Sequence, residues 1–122
     1  MSLTAEQIRE RAKCRRSKVV PIPEWNDEVH VFALMADAAD RLAELNYETD
    51  PEEAGKLRFK RAGHTARLVV FHACDANGQR LFTEADLAEV GTWDHLVLQR
   101  IVNAVRELGS LGDDSGEAEA KN

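Results

Sequence analysis

The stretch Val19-Val20-Pro21-Ile22-Pro23-Glu24-Trp25 restricts the fold more than any other part of the chain. Valine and isoleucine favour extended backbone, because a branched Cβ packs well on a pleated surface. Pro21 and Pro23 have no N–H to donate to a ladder, so a strand here belongs at a sheet edge. Asn26 and Asp27 tolerate turn and left-handed backbone. Val29, Val31 and Phe32 then resume an extended run with partial alternation. Residues 17–34 are therefore expected to form a β-hairpin with its bend around 24–28. Trp25 at that bend has two roles open to it: folding over an edge of the core, or standing out as a binding anchor.

The remainder reads as helix, so the expected class is mainly α with a small N-terminal β-hairpin (α+β), one domain of about four to five helices. Thr4 and Gln7 have the spacing of a capping box. The helix they open carries only Ala5, Ile8 and Ala12 as apolar residues, which makes residues 1–16 a peripheral basic helix ahead of a core at 17–110. Met35, Ala38, Ala39, Leu42 and Leu45 share one helical face within 35–47. Residues 48–55 are polar, contain Pro51 and Gly55, and read as a loop open to insertion or disorder. Within 62–74, Leu68 to Phe71 suits a buried strand or a buried helix, and the stripe Ala66, Val69, Val70, Ala73 favours the helix.

Asp75-Ala76-Asn77-Gly78 is a turn signal, followed by a short extended piece to Phe82. Thr83 caps a helix over 83–91, with acidic groups in its first turn where the helix dipole favours them. The last helix, 93–109, carries Trp93, Leu96, Val97, Leu98, Ile101, Val102, Val105 and Leu108, and Gly109 is expected to end it. Residues 111–122 form an acidic tail with little to bury, expected to be disordered.

Several function classes find no support. The N-terminus has no apolar stretch after its charges, and no run approaches the roughly 20 apolar residues of a membrane span. A soluble protein that stays where it is made is the expectation. Cys14 and Cys74 make no disulfide framework and read as reduced thiols. Asp75, Asn77, Gln79 and Asp86 echo a calcium loop, but Gly78 stands fourth where such a loop needs glycine sixth, and Asp86 replaces the bidentate glutamate. His64, His72 and Cys74 match no common zinc spacing. There is no nucleophile elbow and no glycine-rich phosphate loop. The basic run from Arg9 to Lys18 lacks interleaved aromatics, and the net charge is −6, which counts against nucleic acid. The residues thus point to a protein-binding factor without catalysis, metal or cofactor. A regulatory module with a degenerate calcium loop and a nucleic-acid accessory protein stand as the alternatives.

Two local signatures, Pro23-Glu24-Trp25 and Asp75-Ala-Asn-Gly-Gln-Arg-Leu-Phe-Thr83, occur in an order and spacing that resembles the tail assembly chaperones of long-tailed bacteriophages and prophages. The resemblance covers about residues 3–109. It departs at Asn26, where a glycine commonly follows the tryptophan, so the turn geometry there is left open. The resemblance implies a helper of tail morphogenesis that coats the tape measure protein and brings tail tube protein to it. Self-association is a further partner to consider. It also implies action in the host bacterial cytoplasm and absence from the finished virion; the residues themselves give no expectation of membrane or nucleic-acid contact. In that setting Ile22 and Trp25, with Trp93 and Leu96 of the last helix, are the expected partner-binding residues.

Overall fold

A computed structural model of the chain describes residues 2–113. The elements run α1 (Ala5–Ala12), β1 (Ser17–Ile22), a 3-10 turn (Pro23–Trp25), β2 (Asp27–Phe32), α2 (Ala36–Leu45), β3 (Tyr47–Thr49) and β4 (Leu57–Phe59). They continue with α3 (His64–His72), β5 (Ala73–Cys74), a second 3-10 turn (Glu84–Asp86), α4 (Leu87–Val90) and α5 (His95–Asp113). Among the described residues this gives five α-helices and two small sheets, the α+β organisation expected.

The hairpin pairs Val20 with Val29 and Ile22 with Asp27, and β2 takes β5 on its other side, so β1 is an edge strand. That position accommodates Pro21. Asn26 adopts φ 54°, ψ 44°, and asparagine tolerates this left-handed region, so the bend closes without the glycine. Alternation turns Val20, Ile22 and Val31 toward one face. α5 covers that face and α3 packs on α5, so that Val69, Val70, Phe71, Val97, Leu98, Ile101 and Val102 are buried in one core with it. The apolar stripe of α5 at three- and four-residue spacing is what lets a single helix close the core.

Several boundaries move, each for a local reason. α1 stops at Ala12 because Arg15 and Arg16 are drawn onto the core. Arg15 donates to the carbonyls of Ala33 (2.9 Å) and Gly78 (2.9 Å), and Arg16 to that of Leu108. The helix expected over 62–74 forms from His64 to His72, but Ala73 and Cys74 pair with β2, Ala73 lying opposite buried Val31. The polar loop 48–55 is corrected at its start: Glu48 and Thr49 belong to β3, which pairs with β4 in a two-stranded ribbon. Trp93 lies before α5, which Asp94 opens by accepting from Leu96 N–H at 2.8 Å. α5 does not end at Gly109 but continues to Asp113, into the expected tail; residues 114–122 lie outside the described residues. The caps at Thr4 and Thr83 are both formed, each as a complete capping box.

Candidate protein-binding surface

The 3-10 turn Pro23–Trp25 and the first turns of α5 meet through one ion pair. Glu24 accepts from Arg100 Nε (2.9 Å) and Nη2 (2.9 Å), a bidentate fork. These hydrogen bonds hold the Glu24 carboxyl below its usual range. At the other end of β1, Lys18 pairs with Glu107 at 3.0 Å. The hairpin is thus clamped along α5 at both ends.

Beside these pairs Trp25 is 51% exposed and Leu96 is 67% exposed. Leu96 precedes Arg100 by one helical turn, so the Glu24–Arg100 pair ties the bend to the face of α5 that carries Leu96. Ile22 leaves the expected surface: it is 0% exposed, because strand alternation turns it into the core with Val20. Trp93 is half-buried and packs edge-on against Phe82, ring centroids 5.7 Å apart. It lines a separate recess with His64 and His95. The structure therefore keeps Trp25 and Leu96 accessible and sets Ile22 and Trp93 apart from them.

Several of the residues weighed as metal ligands are otherwise engaged. Asp75 Oδ1 accepts from the N–H groups of Asn77 (2.8 Å) and Gln79 (3.0 Å), while Asp86 Oδ2 accepts from that of Thr83 (2.8 Å). These carboxylates serve two different turns. His72 is buried and its Nδ1 donates to the Leu68 carbonyl at 2.8 Å, with burial pushing its pKa down. Cys74 is buried, and burial pushes its thiol up. Among the described residues no group of three or more His, Cys, Asp or Glu is placed to share an ion. No helix among them is long and apolar enough to cross a membrane.

One apolar surface was not anticipated. Tyr47, Leu57 and Phe59 are 50%, 70% and 41% exposed on the β3–β4 ribbon. Tyr47 stands opposite Phe59, with ring centroids 5.8 Å apart. On the alternate positions Glu48 pairs with Arg58 at 2.9 Å. The alternation Leu57-Arg58-Phe59 is the signal for this strand, and it is too short to rise above its polar surroundings.

Comparison with known proteins gives a family match and a structural match. Residues 4–122 match the family model described as phage tail assembly chaperone. The fold is similar to that of the bacteriophage HK97 tail assembly chaperone, at 16% identity and a TM-score of 0.50, covering 84% of this chain and 94% of that one. None of the curated proteins matches the chain.

Proposed function

The chain belongs to the phage tail assembly chaperone family, and on that premise we propose that it binds a tape measure protein and recruits tail tube subunits to it, without catalysing a reaction. The observation that carries this reading is the accessible pair Trp25 and Leu96 on a base braced by Glu24 and Arg100. A large aromatic presented on a rigid scaffold loses little conformational freedom on binding, which suits an anchor. The work would take place in the host cytoplasm, and the chaperone would be absent from the finished virion.

Co-expression with the tape measure and tail tube proteins of the same phage, followed by affinity purification, tests the reading. The native chain is expected to retain both. Trp25→Ala is expected to weaken retention of the tape measure protein by about tenfold or more. Unchanged retention by a folded Trp25→Ala variant removes Trp25 from the contact. Failure of the native chain to retain the tape measure protein rejects the partner assignment.

A further inference from the structure

Two recesses adjoin at the N-terminal end of α3. One, of about 380 Å³, has apolar walls from Leu45 and Leu87 and is also lined by Lys60 and Arg67. The other, of about 230 Å³, shares Ala66 with it and adds Arg61, His64 and His95. Among the described residues no carboxylate lines either recess, in a chain whose net charge is −6.

Arg67 makes this asymmetry pointed. It is 4% exposed, and its hydrogen bonds go to neutral oxygens: Asn46 Oδ1 (2.8 Å) and the carbonyls of Ala62 (2.8 Å) and Lys60 (2.5 Å). Glu48 acts on it through space but is itself bridged to Arg58 at 2.9 Å. A cation held in a poorly solvated place without a paired counter-charge favours an arriving anion. The positive field is felt by His64, whose pKa is pushed down by burial and then by Arg67 and Arg106. The Phe59 ring meets His64 edge-on, centroids 4.9 Å apart, so Phe59 of the ribbon borders the same groove.

We propose that this groove docks an acidic, apolar segment of a partner protein. An apolar side chain of that segment fills the recess between Leu45 and Leu87, and neighbouring carboxylates compensate Arg67, Lys60 and Arg61. The proposal rests on the reading that the chain works by holding a protein partner, and it adds the chemistry of the segment held.

The test titrates the full chain against two fluorescently labelled helical peptides, one of leucine, alanine and glutamate, the other with lysine in place of glutamate. The glutamate peptide is expected to bind and the lysine peptide not. Lys60→Glu with Arg61→Glu, both exposed side chains, should lower affinity for the glutamate peptide by about tenfold or more and reverse the preference. Circular dichroism of the double variant establishes that it is folded. No binding, equal binding of the two peptides, or an unchanged double variant overturns the proposal. So does displacement of the glutamate peptide by inorganic phosphate or by duplex DNA, which would make the groove a phosphate site. Tape measure retention is scored separately: its failure with the native chain rejects that partner, while the peptide titration decides the groove.

Discussion

Glu24 and Arg100, 76 residues apart in the chain, are joined by a bidentate hydrogen-bonded pair that sets the hairpin bend against α5. Both side chains are exposed, so the pair positions the bend more than it stabilises the fold. Arg100→Ala is expected to leave the thermal transition nearly unchanged while amide exchange at Trp25 and Asn26 quickens. The exchanged pair, Glu24→Arg with Arg100→Glu, should restore slow exchange. Because the Glu24 pKa lies below its ordinary value of 4.5, the pair should persist at that pH and be lost only as pH falls through the lowered value. A side-chain NMR titration of Glu24 reads this directly.

Ile22 and Trp25, three positions apart, should respond to truncation in opposite ways. Ile22 is 0% exposed, so Ile22→Ala is expected to cost about 2–5 kcal/mol by urea denaturation. Trp25→Ala should change stability far less and act on partner binding.

Arg67 holds the end of β4 and the entry to α3 onto α2's last turn through three hydrogen bonds. Arg67→Ala would leave those oxygens without their donor. A loss of about 2–4 kcal/mol is expected. A denaturation midpoint equal to the native one would show that water replaces the guanidinium at no cost.

Gly78 and Gly55 separate backbone strain from crowding. Both have positive φ, +87° and +84°. A Cβ at Gly78 would lie 3.1 Å from Arg15 Nη1 and 3.2 Å from Phe32 Cε2, whereas at Gly55 nothing among the described residues lies within 4 Å. Gly55→Ala is expected to cost about 1–2 kcal/mol from left-handed backbone alone, and Gly78→Ala measurably more. Equal losses would mean that Arg15 and Phe32 give way freely.

His72 should give stability a pH dependence. Burial lowers its folded pKa below the ordinary 6.5, so the unfolded chain binds the proton first as pH falls. This contribution to stability is fully present above pH 6.5 and is lost as pH drops toward the folded value. His72→Gln should flatten the slope of denaturation midpoint against pH between 6.5 and the mildly acidic range. A slope unchanged in the variant assigns the effect to other groups.

What the residues determined alone is local. Two prolines beside β-branched residues place β1 at an edge, Thr4 and Thr83 cap their helices, and the Asp75–Gly78 turn follows from short-range backbone preferences. The stripe on α5 is likewise visible as spacing. Each of these depends on neighbours within a turn or two. The tertiary structure decided what depends on distant partners. Ala73 and Cys74 leave the expected helix because β2 offers a free edge. Tyr47 and Phe59 become a ribbon only when their strands meet. Ile22 and Trp25 share one apolar segment, and only the packing of α5 on one face of the hairpin buries the first and leaves the second exposed. Arg67 reads as one more surface cation until α3 is packed, when burial with no carboxylate partner among the described residues gives the groove its charge. Burial and net field are sums over groups remote in sequence, and so they come into being only with the fold.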